Sequence, residues 1–242
     1  MGAGLLAGMF NAVAGGGTFI SMPVLIYAGL PSVAANASST VALFPGSLAS
    51  IYAYRKDFRD FDHVPLKQLI FISIIGGFIG AILLLVTPSS NFDKIIPWLV
   101  LLGAVMFIFG KQVAKLLENS FKLNKWILLS VQFGLGIYGG YFGGGAGIMM
   151  MAAWSMLGLT DIKVINVNKT LLVGAANSIA VVIFIVSGEI YWLQTCIMLV
   201  ATVAGGYFGA AYARKLNQKV LRGLISSLIV LITIFFFYRA YH

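Results

Sequence analysis

Four long stretches of this 242-residue chain carry no charge: Met1–Tyr54, Gln68–Phe92, Trp126–Thr160 and Ile190–Ala213. A helix that crosses a bilayer needs roughly 20 consecutive apolar residues, because hydrocarbon compensates neither a charge nor an unbonded peptide group. The runs meet that length repeatedly, so the expected class is an all-α polytopic membrane protein. A transmembrane β-barrel would alternate apolar and polar residues over segments of about 10, and continuous runs do not. Only 10% of the residues are charged, against about 25% in soluble domains. The net charge of +9 does not indicate nucleic acid, because the basic residues sit between apolar runs, as cytoplasmic flanks do. The N-terminus lacks the basic n-region of a cleavable signal peptide and stays apolar beyond it. It reads as part of the membrane domain.

The chain also repeats itself. Gly8–Gly17 falls on Gly136–Gly145, and Gly76–Ala81 (GGFIGA) on Gly205–Ala210 (GGYFGA). After a shift of two residues, Asn36–Leu43 (NASSTVAL) falls on Asn166–Val173 (NVNKTLLV). Three anchors in order divide one integral membrane domain into a first repeat, 1–117, and a second, 118–242. Internal repeats of this kind mark many secondary transporters. Each half opens with a large block, Met1–Tyr54 or Trp126–Ser187. Each block is broken at a glycine triplet, Gly15–Gly17 or Gly143–Gly145, and again near Gly29–Pro31 or Gly158–Asp161. Two apolar segments follow each block: Val64–Val86 and Phe92–Val113, then Ile190–Ala213 and Val220–Tyr238. Two helices per block give about eight transmembrane helices.

The basic loops swap places between the halves. Arg55, Lys56, Arg59 and Lys67 follow the first block, whereas the matching loop SGEIYW has no basic residue. The loop TPSSNFDK has only Lys94, whereas its counterpart ARKLNQKVLR has Arg214, Lys215, Lys219 and Arg222. The linker Lys111–Lys125 adds four lysines. Basic loops are cytoplasmic, and placing all three inside sets twelve cations against one. Plain alternation of eight helices forbids that arrangement. The repeats are therefore read as inverted, with each block crossing an odd number of times and its broken segments re-entrant or making an extra crossing.

Several motifs need weighing. Gly76-x-x-x-Gly80 and Gly205-x-x-x-Gly209 are close-packing faces for helix backbones. Gly15–Gly17 and Gly143–Gly147 lack the Gly-Lys-Ser/Thr of a phosphate loop. Irregular backbone at membrane depth instead lines a cavity or is buried in protein, and the helix N-termini it frees attract anions. Gly16, Gly17, Gly144 and Gly145 are candidates on that ground, with tight packing as the alternative. Asn36, Ser38, Ser39 and Thr40 form one polar cluster, and Asn166, Asn168, Lys169 and Thr170 the other. Each is able to cap the helix that follows, but capping needs one residue, and the excess suggests donors around a ligand. Lys169 adjoins the uncharged run Thr170–Gly188. A lysine at membrane depth is a functional candidate, with a snorkelling loop lysine as the alternative.

Asn177, which aligns with Ser47, is a secondary candidate, with interhelical hydrogen bonding as its alternative. Arg55 is topological or reaches a cytoplasmic vestibule, and Pro23 and Pro45 suit helix breaks or kinks. Cys196, the sole cysteine, reads as a small packing residue, and with only His63 and His242 it builds no metal site. No cofactor is expected. No nucleophile–base or paired-carboxylate set marks an enzyme, and the seven acids lie in or beside loops, which argues against a buried proton relay.

These residues resemble a known family. GLLAGMFNAVAGGGTFISMPVLIYAGLP followed by NASSTVAL, and GYFGGGAGIMMMAAWSMLGL followed by NVNKTLLVGAANS, are similar along the whole chain to the sulfite exporter (TauE/SafE) permeases. The resemblance implies a multi-pass protein of the cell (inner or plasma) membrane. It also implies transport of small sulfur-containing anions such as sulfite, or organosulfonates such as sulfoacetate, usually outward. Import of thiosulfate or another small anion, and a non-transporting assembly subunit, stay open as alternatives, as does a homodimer. The chain starts close to its first glycine motif, so the first helix is expected to be short.

Overall fold

The computed structural model describes residues 1–61, 64–117, 124–159, 161–213 and 218–241. Among them are ten helices: α1 (Gly2–Ala14), α2 (Thr18–Tyr27), α3 (Ser32–Ala53), α4 (Leu66–Val86), α5 (Ser89–Leu117), α6 (Lys125–Tyr141), α7 (Ala146–Met156), α8 (Ile162–Val186), α9 (Trp192–Ala213) and α10 (Gln218–Tyr241). By length and composition, three are apolar enough to cross a membrane: Leu66–Val86, Ser89–Gly110 and Lys163–Val186. Each large block holds three helices rather than two, which accounts for ten where eight were expected. The breaks fall where the sequence puts them. Gly15 ends α1 in the left-handed region at φ 70°, and Gly143 and Gly145 both stand at φ 75°, a conformation that glycine adopts without a Cβ clash.

Glycine contacts give the helix directions. A β-carbon on Gly76 would stand 2.7 Å from the Phe133 carbonyl, and one on Gly80 would strike Ile137 and Tyr141. The numbers rise together, so α4 and α6 run parallel with backbones touching. The same pattern ties α1 to α9: Gly4 meets Met198 and Ala201, and Gly8 meets Thr202. The first helix of each half is thus fastened to the fourth helix of the other. Both expected Gly-x-x-x-Gly faces are used in this way, through Gly76, Gly80 and Gly205.

The ends of the bundle differ in charge. At one, Ser32 at the start of α3 bonds the Ser89 carbonyl, and Ser38 accepts from the Tyr191 amide. Arg239 near the end of α10 pairs with Asp93 at 3.6 Å. At the other, the loop Tyr54–Pro65 meets the start of α8 through Arg59 and Asn168. This second end carries Arg55, Lys56, Arg59 and Lys163. The α1–α2 hairpin enters from the first end and the α6–α7 hairpin from the basic end. His63, Arg214 and Lys215 lie outside the described residues.

The structure decides between several of the sequence alternatives and corrects the reading of Cys196. The polar clusters cap nothing: α3 is preceded by Pro31, and the cap of α8 is Asp161, whose carboxylate accepts from the Lys163 and Val164 amides at 2.9 and 3.1 Å. Asn36 and Asn166 each lie a turn inside. Pro23 and Pro45 break nothing either, since both sit within continuous helices; the breaks belong to the glycines. Cys196 does not pack inside; it is exposed on the outer face of α9 beside Leu193 and Ile197, which are also exposed. Arg55 lies over the Tyr52 ring, 3.9 Å from its centroid, and it is Arg59 that lines the cavity at this end.

Candidate functional site

The two hairpin tips meet inside the bundle. Gly17 leads into α2 and Gly145 into α7. The Phe19 ring fills the space between them. β-carbons on Gly16, Gly103 and Gly145 would lie 2.9, 2.7 and 3.1 Å from its atoms. Phe19 also packs on Phe142, with centroids 6.1 Å apart. The Tyr138 hydroxyl donates to the Gly144 carbonyl at 2.7 Å and holds the second tip in shape. The Asn11 carboxamide oxygen does the same for the first, accepting from the Gly17 amide at 3.4 Å.

The polar cluster of α3 is largely committed to the protein. The Asn36 side-chain NH2 donates to the Tyr141 carbonyl at 3.0 Å. Ser38 accepts from Tyr191, Ser39 pairs with Ser21 of α2, and the Thr40 hydroxyl donates to the Asn36 carbonyl at 2.9 Å. On α8, Asn168 is fully buried and clamps the basic loop, donating to the Arg59 carbonyl at 2.7 Å and accepting from its amide at 3.4 Å. The Thr170 hydroxyl donates back to the Asn166 carbonyl. The clusters therefore do not converge on one point, because α3 begins at one end of the molecule and α8 at the other.

Lys169 remains distinct. Its stem lies over Gly147 in the first turn of α7, where a β-carbon would meet Cδ at 3.1 Å. Its ammonium donates to Asn166 Oδ1 at 2.8 Å. The stem of a lysine thus packs on the first turn of a half-helix, whose N-terminal N–H groups favour an anion, while its ammonium is held by Asn166. Asn166 also walls a cavity of about 440 Å³ at the basic end, lined among others by Tyr54, Arg59, Asp161 and Lys163. Asn177 stands apart on α8, its side-chain oxygen buried with no partner.

The sequence reading missed Phe19 and Tyr138, and it took Arg59 only as a topological charge. One signal was present: Phe19 aligns with Gly147, so the bulkiest difference between the two glycine motifs marks both the plug and the space that the Lys169 stem fills.

Broken half-helices meeting inside a lipid-suited helix bundle, with a lysine stem packed on one of them, are an architecture that membrane transport proteins use. The chain belongs to the sulfite exporter TauE/SafE family, whose model matches residues 1–236. Relatives agree with the class. A probable membrane transporter protein of Haemophilus influenzae is 28% identical over 229 residues, covering 92% of this chain and 87% of the relative. The probable membrane transporter protein YfcA of Escherichia coli is 25% identical, covering 91% and 82%. YunE of Bacillus subtilis, named likewise, is 25% identical, covering 95% and 93%. No solved structure matches the chain.

Proposed function

We propose that the protein moves small sulfur-containing anions, sulfite or organosulfonates such as sulfoacetate, out of the cytoplasm through two inverted repeats. The observation that carries this reading is Lys169: a lysine on an apolar span, its stem packed on Gly147 of the half-helix α7, its ammonium on Asn166, and Asn166 in turn on the wall of the basic-end cavity. An anion entering between Arg59 and Lys163 meets Asn166, then the ammonium and the amides at the start of α7. Desolvating an anion without such partners is costly. Opposed entry of the two hairpins and the shared α1–α9 and α4–α6 pairing support the inversion. Each block then contributes a re-entrant hairpin and one crossing helix, which is an odd number of crossings.

A cytoplasm-negative potential drives anions outward by about 2.3 kcal/mol per charge per 100 mV, so export needs no energy beyond it. The test is sulfite and sulfoacetate flux in proteoliposomes under an imposed potential. Lys169→Ala is expected to abolish most of the flux while the protein stays folded. Unchanged flux in that variant would sink the assignment.

A further inference from the structure

We infer that a monovalent cation, sodium by preference, binds where the α6–α7 break meets α2 and α3. The location is the space that a β-carbon on Gly143 would enter. Apart from Gly143 and its two chain neighbours, the three nearest heavy atoms to that point are all oxygens from three different elements: the Gly139 carbonyl at 3.4 Å, and Thr18 Oγ1 and Thr40 Oγ1, each at 3.9 Å. A further oxygen without a partner lies on α3 nearby. Asn36 lies one turn before Thr40, its NH2 is spent on the Tyr141 carbonyl two residues before Gly143, and its Oδ1 is buried without a partner. Asn36 as a whole is 1% exposed.

The polarity of these oxygens decides what they bind. The Gly139 carbonyl only accepts. The Gly143 amide, which would bond it in a continued helix, reaches back to the Tyr138 carbonyl instead. The Thr40 hydroxyl proton is already given to the Asn36 carbonyl, so its lone pairs face the space. Asn36 Oδ1 only accepts. Only Thr18 keeps a proton to offer. An anion would face mostly lone pairs here, whereas a cation finds three oxygens at the negative end of α6, with the unpartnered Asn36 Oδ1 one turn along α3. Freed carbonyls and half-helix C-termini are the groups that hold coupling cations in transporters with broken helices. These oxygens, carbonyl, hydroxyl and amide, include no carboxylate, which suits one positive charge; hard divalent ions draw on carboxylates. The anion and the cation thus take opposite sides of one tip, Lys169 at the start of α7 and these oxygens at the end of α6.

Equilibrium dialysis of the purified full chain with radioactive sodium, at constant ionic strength in choline chloride and with no sulfur anion present, tests this independently of the transported substrate. Wild type is expected to bind one sodium per chain. Thr40→Val and Thr18→Val should weaken it roughly tenfold, as loss of one bond to a charged group does, and Thr40→Ser should bind like wild type. Absence of saturable sodium binding by wild type overturns the inference, and so does equal affinity in both valine variants. If Thr40→Val fails to fold, Thr18→Val and Thr40→Ser decide the question. Failure here leaves the anion proposal standing, because that rests on flux through Lys169.

Discussion

Asn168 is where two accounts of the polar cluster part. As a substrate ligand, it would affect transport and leave the fold alone. As the clamp described above, it would do the reverse. Asn168→Ala removes a short bond of 2.7 Å and a long one of 3.4 Å to the backbone of Arg59. The short bond contributes about 1 kcal/mol and the long one less. Arg59 is exposed, so its freed groups reach water and add little penalty, but the fully buried side chain leaves a void that adds a further fraction. The sum is about 2 kcal/mol, or roughly 4–8 °C in Tm for a chain of this size. Differential scanning fluorimetry on the purified variant reads the shift, and flux in proteoliposomes reads KM. A Tm within about 2 °C of wild type together with a several-fold higher KM would refute the clamp and return Asn168 to the substrate.

Other expectations can be checked with the same preparations. Arg59→Gln keeps the backbone clamp, so Tm should hold while KM rises for sulfite presented at the basic end only; vesicles of the two orientations separate the cases. Gly76→Ala places a β-carbon 2.7 Å from the Phe133 carbonyl and should lower stability by about 1–3 kcal/mol in thermal unfolding, whereas Gly134→Ala, on α6 with nothing within 4 Å, should be neutral or gain up to about 1 kcal/mol of helix propensity. In a Cys196→Ser background, single cysteines at Lys56 and Asn217 should label from one side of the membrane and one at Ser89 from the other; labelling of Ser89 and Asn217 from the same side would rule out the inverted repeat.

Long uncharged runs state the need for helices, and glycine triplets state where those helices must stop, so the class and the breaks could be read directly. A third helix within each block was harder to see, because α2 and α7 are too short to register as separate runs and Pro23 lies inside α2 rather than at its edge. The destinations of the polar residues were not legible. Asn36 and Asn168 occupy matching neighbourhoods in the repeat, yet one reaches the Tyr141 carbonyl and the other the Arg59 backbone. Those partners are 105 and 109 residues away in the chain, and local pattern carries no information about them. Lys169 stood out in advance because a charge on an apolar span is conspicuous wherever the helix goes. Thr18 and Phe19 did not, because a threonine and a phenylalanine are unremarkable until a second tip is placed against them.

The glycine seams carry a mechanical meaning. The α1 backbone lies against α9, and that of α6 against α4, with carbonyls where β-carbons would otherwise be. Surfaces in such contact move together or not at all. The hairpin of each sequence half is therefore packed on the opposite half, so if transport proceeds by rocking, the expected units are not residues 1–117 and 118–242. They would be one body built on α1 and α9 and another on α4 and α6, with Phe19 between their tips. Cut at the linker, residues 1–117 and 118–242 would each carry a hairpin without its anchor, and only the two fragments together would make a working machine.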